Sequence, residues 1–278
     1  KEPRFDKSEF RELALFEVAE NSKKFFDFNK AISSYLALVR KNAKNENSPY
    51  ALFEAAKLYY DDGQYENAAN AFERYEKSYT NREDAIFALY RAAESWAKRK
   101  NTRQERRLLM RFVERGREKP KLGQAVLKAL VRLGEIELKK GRPKFAKRFF
   151  ENVIALYNQR GFQPESPEAY HAARAQFELV DFKYREYKGI VLKGNVNQMV
   201  RQIQNAQAML KKLQNDYAQV ALLYRSVDWN FAAFFRLGEI NQIFAQKLYD
   251  APEPRGMNPD DLDIYRTQLE EEGARWED

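Results

Sequence analysis

Apolar residues recur at three- and four-residue spacing through most of the chain, the period of helices that bury one face. One such run, Ala51-Leu-Phe-Glu-Ala-Ala56, returns as Ala88-Leu-Tyr-Arg-Ala-Ala93 and, more weakly, as Glu168-Ala-Tyr-His-Ala-Ala173. Another block, Arg132-Leu-Gly-Glu-Ile136, returns letter for letter as Arg236-Leu-Gly-Glu-Ile240. Aligned on their small residues, the repeats place Ala19, Ala56, Ala93 and Gly134 at steps of 37, 37 and 41. Twelve positions after each small residue stand Ala31, Ala68, Glu105 and Ala146, and sixteen after it stand Tyr35, Phe72, Leu109 and Phe150. This pattern predicts helix pairs. A small residue lets two helices approach closely, and the later bulky residue fills the space toward the next pair. Turns are expected at 61–64, 98–102 and 140–143, where Gly63, Lys100, Gly141 and Pro143 interrupt the period.

The second half reads differently. Residues 158–167, with Gly161, Pro164 and Pro167, form a turn or linker, and 189–195 a second break. Between 196 and 224, Val196, Met199, Ile203, Ala206, Leu210, Leu213, Tyr217, Val220 and Tyr224 keep a three–four alternation. That predicts one long helix with a continuous apolar seam, packed within the chain or, alternatively, against a second copy as a coiled coil. Asp250-Ala-Pro-Glu-Pro254 breaks the chain again. Asn258-Pro-Asp-Asp261 then starts a last, acidic helix, with Pro in its first turn and acids near its N-terminus.

The repeats resemble the tetratricopeptide repeat family, whose pattern is a bulky residue, a small pair, an aromatic, a turn glycine, then Tyr, Ala and Phe. Leu52, Ala55, Ala56, Tyr59, Gly63, Tyr65, Ala68 and Phe72 match it best. Leu130, Leu133, Gly134, Gly141, Ala146 and Phe150 give a second match, and Leu15, Val18, Ala19, Phe28, Ala31 and Tyr35 another. The unit around Ala93 departs from the pattern, with Glu105 where the family has Ala and Lys100 where it has Gly. The resemblance implies an all-α chain, a right-handed superhelical α-solenoid of such helix pairs with a long C-terminal helix insertion. Four repeats are expected over 1–157. Degenerate repeats follow over 158–278, with the long helix at 196–224 and an acidic capping helix at 259–275.

The last third is also similar to repeat proteins from the cell envelope of gliding and predatory delta-proteobacteria. The residues that carry this are Tyr217 and Val220, Trp229, Ala232 and Ala233, the block from Arg236 to Ile240, Phe244 and Ala245, the run from Ala251 to Gly256, and Tyr265 with Leu269. That similarity implies a subunit of an envelope or motility assembly, periplasmic or outer-membrane-associated, with a cytoplasmic location as the alternative. The opening Lys1-Glu-Pro-Arg4, without Met or leader, reads as a trimmed or processed chain.

Composition narrows the chemistry. The 278 residues are 44% hydrophobic, enough for one or two cores, and 11 Gly and 9 Pro are too few for an all-β chain. No cysteine is present, which excludes disulfides, Cys-ligated metal and a Cys nucleophile. His171 is the only histidine and reads as a packed or capping residue. No stretch reaches the roughly 18 apolar residues of a membrane span. No Gly-rich phosphate loop, GxSxG or HExxH occurs, and the acidic pairs lie at turns or on a polar helix. The expectation is no catalytic residue, no metal and no cofactor.

What remains is surface. In such repeats the first helix of each pair lines the concave face. The family register assigns to a partner-binding groove Phe16, Glu20, Lys23, Tyr50, Phe53, Lys57, Tyr60, Phe87, Tyr90, Glu94, Lys98, Val131, Glu135 and Lys139, with Tyr170 as a continuation. Aromatic anchors among charges suit an extended peptide or a partner helix. Some family members clamp a terminal carboxylate with Asn and Lys. Lys57, Glu94 and Glu135 stand where the Asn is needed, which disfavours that ligand.

Charge is uneven. Residues 98–121 hold eleven basic residues against three acidic ones, a surplus equal to the chain's net charge of +8, while 257–278 hold eight acids against Arg266 and Arg275. A basic patch is expected on the second helices from Arg103, Arg106, Arg107, Arg111 and Arg115, continued by Arg142, Lys144 and Arg148. A plain solvated face accounts for it, and so does an acidic protein, an anionic cell-wall glycan or nucleic acid. The leading expectation is a non-enzymatic scaffold that binds a partner protein or peptide. The alternatives are an anionic-polymer binder and the helical, non-catalytic part of a larger enzyme. Oligomeric state is left open.

Overall fold

The computed structural model describes residues 9–254 and 256–276, and among them it holds twelve α-helices and no strand. Of the residues singled out above, Lys1-Glu-Pro-Arg4, Arg255 in the 251–256 run, and Glu277 and Asp278 of the acidic end lie outside the described residues. The chain divides into two compact units, one ending at Gly141 and the other beginning at Arg142, ahead of the expected 157/158 boundary.

The first unit contains α1 (Glu9–Lys24), α2 (Phe28–Lys41), α3 (Ser48–Asp61), α4 (Tyr65–Ser78), α5 (Ala85–Lys98), α6 (Thr102–Gly116) and α7 (Gly123–Lys139), with a 3-10 turn at Pro120–Leu122 before α7. Each helix packs on the next in order. The expected turns at 61–64 and 98–102 separate α3 from α4 and α5 from α6. Gly63 at φ +77° and Gly141 at φ +67° adopt the left-handed backbone that glycine enters without steric cost. Lys100 holds the same conformation at φ +60°, so the unit that lacks the family's glycine keeps its geometry with a strained residue. Side-chain caps start several helices. Asp27 accepts from the Lys30 amide at 3.2 Å, and Asn101 from the Gln104 amide at 3.2 Å.

The small residues are where the spacing places them. Ala19, Ala56 and Ala93 are fully buried, and so are Ala31 and Ala68 twelve positions on and Tyr35 and Phe72 sixteen on, with Leu109 at 3% exposure. Each buried Leu or Phe contributes roughly 2 kcal/mol by removal from water. Glu105, in the place of alanine, is also buried, and an ion pair described below compensates it.

The second unit contains α8 (Pro143–Gln159), α9 (Pro167–Lys188), α10 (Val196–Tyr224), α11 (Val227–Tyr249) and α12 (Pro259–Ala274). Prolines in the first turn open α8, α9 and α12. Asn195 and Gln198 form a reciprocal capping box at the start of α10, each contact 3.0 Å. The long helix therefore spans the expected 196–224. Its seam is covered by its own chain: Met199, Ala206, Leu210, Leu213, Tyr217, Val220 and Tyr224 are buried, and α10 packs on α9 and α11. Val196 and Ile203, half-buried, face a cleft of about 610 Å³ toward Ile264, Tyr265 and Leu269 of α12. The acidic last helix packs on α11, with Gly273 buried beneath the Tyr249 ring. His171 is buried on α9, edge-on to Tyr170 at 5.3 Å. Among the described residues no helix is long and apolar enough to cross a membrane.

Candidate partner-binding groove

The first helices of the pairs in the first unit, α1, α3, α5 and α7, meet through side chains that bridge from one to the next. Lys23 on α1 donates to the Tyr50 hydroxyl at 3.0 Å and to Glu54 on α3 at 3.4 Å. Glu54 also accepts from Lys57 at 2.7 Å. Arg91 on α5 lies 5.1 Å from the Tyr60 ring centroid and 2.7 Å from Glu94, and Glu94 in turn faces Lys128 on α7 at 3.5 Å. Arg132 on α7 pairs with Glu135 at 3.0 Å. A charge pairing recurs on three of the four helices of this face, with its order reversed on α3. Opposite charges three residues apart flank the small residue as Glu54 and Lys57, Arg91 and Glu94, Arg132 and Glu135.

The aromatic positions divide by depth. Tyr50 is 44% exposed, and Phe16, half-buried, meets it edge-on at 5.9 Å. Phe53 is half-buried against Phe72 and Tyr75, at 5.3 and 5.1 Å. Tyr60 rests on Tyr65 at 5.4 Å, and Phe87 stacks on Tyr90 at 5.7 Å. Tyr90 and Val131, placed in the groove by register, are interior side chains at 6% and 3% exposure, and Tyr90 packs on Phe112. Lys98 and Lys139 are exposed at the ends of α5 and α7. Tyr170 belongs to α9 of the second unit, where it lies 6.0 Å from Trp229.

Glu20 shows how tightly the charges are held. Its burial pushes the carboxyl upward, but hydrogen bonds from Tyr35 and Lys23 outweigh that and keep its pKa below the ordinary value. Tyr35 moves the other way, raised by its own burial and by the Glu20 carboxylate.

The basic stretch on α6 is not a free patch. Arg107 pairs with Glu73 on α4 at 2.7 Å. Arg111 at 3.2 Å and Arg115 both reach Glu76 on α4, which is 3% exposed. Arg106 donates to Glu137 on α7 at 2.6 Å, and Glu137 is 1% exposed. The expectation of a simply solvated face therefore fails for Arg106, Arg111 and Arg115, which buried carboxylates draw inward, while Arg107 stays exposed beside half-buried Glu73. Arg103 is exposed on α6, as are Arg142, Lys144 and Arg148 at and after the start of α8.

Sequence reasoning missed Glu54, Arg91, Lys128 and Arg132 as parts of this face. The opposite signs at three-residue spacing around Ala56, Ala93 and Gly134 were the available signal. Lys128 carries no such mark, because its partner Glu94 lies on another helix.

Residues 50–81, which span most of α3 and α4, match the family model described as a tetratricopeptide repeat. No curated protein matches the chain. Among solved structures, the chain is similar to a TPR repeats protein from Bacteroides fragilis, at 12% identity and a TM-score of 0.47, over 85% of this chain and 97% of that one. It is similar to a tetratricopeptide repeat protein from Parabacteroides merdae, at 13% identity and a TM-score of 0.41, over 93% and 98% of the two chains. It is also similar to the MamA protein, at 16% identity and a TM-score of 0.44, over 76% and 94%.

Proposed function

We propose that this tetratricopeptide-repeat protein is a non-enzymatic scaffold that binds an extended peptide or a helix of a partner protein along the face of α1, α3, α5 and α7. The observation that carries this reading is the bridged row of Lys23, Glu54, Arg91, Glu94 and Lys128, with Tyr50, Tyr60 and Phe87 set among them. The charges are already satisfied within the chain, so a partner meets a surface whose side chains are ordered before binding. Less entropy is then lost on association. The aromatic rings supply the apolar contact, each worth about 2 kcal/mol where a partner buries it fully. The setting in a bacterial envelope or motility assembly, implied by the similarity of the last third, belongs to the same proposal.

Photo-crosslinking tests it. A photoreactive residue is placed at Tyr50, Tyr60 or Phe87, and for comparison at exposed Arg103, and each variant is incubated with extract of the source organism. The reading expects one partner protein crosslinked from the three aromatic sites and not from Arg103, and lost on Tyr50→Ala with Tyr60→Ala. Partner crosslinks confined to Arg103, or turnover of a substrate by the purified chain with no partner recovered, overturn it.

A further inference from the structure

The repeated Arg-Leu-Gly-Glu-Ile block allows a comparison within the chain. In α7 its Gly134 is buried, as are Leu133 and, four residues before the glycine, Leu130. The same register on α3 is Leu52 and Ala56, and on α5 Leu89 and Ala93, all fully buried. In both of those pairs the next helix supplies the cover, α4 over α3 and α6 over α5. On α11 the block is identical and the cover is missing. Gly238 is exposed, and Phe234, four residues before it, is 58% exposed. The following helix begins only at Pro259 and engages the far end of α11, where Trp276 meets Phe244 and Gly273 lies under Tyr249.

The uncovered face is apolar and continuous. Val227, Phe231, Phe234, Phe235 and Gly238 fall on one side of α11 at helical spacing. Their large side chains are between 58% and 71% exposed. Scattered exposed hydrophobics are ordinary, but a row of three phenylalanines beside a glycine marks an interaction surface.

We propose that a second copy of this chain covers that face by laying its own α11 antiparallel across it. The face holds both halves of such a fit. A Cβ built at Gly238 meets nothing within 4 Å, so the backbone there is an open notch, and the Phe234 ring projects one helical turn away. About a twofold axis midway between them, Phe234 of each copy enters the notch at Gly238 of the other. This reciprocity is what an isologous contact requires. The exposed residues from Phe231 to Gly238 are uncharged, so the face meets itself without like-charge repulsion.

The test is sedimentation velocity of the whole chain over about a hundredfold range of concentration, where a dimer governed by mass action dissociates on dilution. The expected result is a monomer–dimer transition whose Kd weakens roughly tenfold or more in Gly238→Leu and in Phe234→Asp. The leucine enters open space in the single copy and replaces a poor helix former, so the thermal midpoint of the dilute Gly238→Leu protein holds or rises. A wild-type chain that stays monomeric at every concentration, even one that captures a different protein on this face, overturns the proposal. So does a dimer whose Kd neither variant moves, or a Gly238→Leu chain that loses thermal stability without change in association.

Discussion

Arg132 on α7 donates to both oxygens of Glu105 on α6, at 2.5 and 3.1 Å, and so holds a carboxylate that is 2% exposed where the repeat pattern has an alanine. The second copy of the five-residue block uses its arginine in the same way. Arg236 on α11 donates to Asp181 on α9 at 3.0 Å, Asp181 is 6% exposed, and Arg236 also pairs with Glu239 three residues on, as Arg132 does with Glu135.

Removing the two sides of the first pair has unequal cost. Arg132→Ala leaves a buried carboxylate without its cation and is expected to cost about 3 kcal/mol. Glu105→Ala restores the pattern residue, leaves Arg132 with Glu135 and partial access to water, and costs about 1 kcal/mol or less. Arg236→Ala is milder than Arg132→Ala by about 1 kcal/mol, because Asp181 keeps the Tyr217 hydroxyl at 3.2 Å and Arg185 at 3.3 Å. Urea denaturation of the three variants gives the order.

Lys100 carries a removable strain. A non-glycine residue at its φ of +60° costs about 1–2 kcal/mol, and glycine returns part of that gain as entropy in the unfolded chain. Lys100→Gly is therefore expected to stabilise the protein by about 0.5–1 kcal/mol, read as a higher urea midpoint at unchanged slope.

Charge reversal on α6 separates by position. Arg106→Glu sets a second carboxylate against buried Glu137 and is expected to destabilise by about 3 kcal/mol or more. Arg103→Glu, on an exposed side chain, stays within about 0.5 kcal/mol. Thermal denaturation distinguishes them. An anion-binding assay on α6 is informative with an Arg103 variant, whereas an Arg106 variant reports unfolding.

Stability is expected to fall at both ends of the pH scale. Burial tends to raise the Glu239 pKa, but hydrogen bonds from Tyr184 and Arg236 outweigh it and hold the carboxyl below its ordinary 4.5, as with Glu20. A depressed carboxyl contributes stability that is complete above 4.5 and lost as pH falls through the folded pKa. Tyr184 is pushed up to about 12 from 10.0 by burial and by Glu239, and Tyr224 to about 12 by burial and by Tyr157. Their contribution is complete below pH 10 and lost as pH rises toward 12. Urea midpoints across this range are expected to show both limbs, with the acid limb reduced in Glu239→Gln and the alkaline limb in Tyr184→Phe.

The helices and their breaks were legible because they depend on local order. The three–four period, the caps at Asn195 and Asn258, the first-turn prolines and the left-handed turns at Gly63 and Gly141 lie within a few residues of what they control. Burial of Ala19, Ala56 and Ala93 follows from the same register, since a repeated spacing repeats the same contact. The two departures of the third pair were legible as departures, but their resolution was not. The Glu105 carboxylate is matched by an arginine 27 positions away, and nothing near it in the chain says so.

The sequence by itself determined that the chain is built of amphipathic helices, several of the breaks between them, and the small residues at which they cross. Only the tertiary structure decided which charges are surface and which are struts. It turned the basic run on α6 into partners for Glu73, Glu76 and Glu137, and it left Gly238 open where identical letters at Gly134 are buried. The reason is physical. Periodicity shows that a face is apolar or charged, whereas the cost of a charge or a ring depends on what stands opposite it, and that neighbour comes from a distant part of the chain or from none of it.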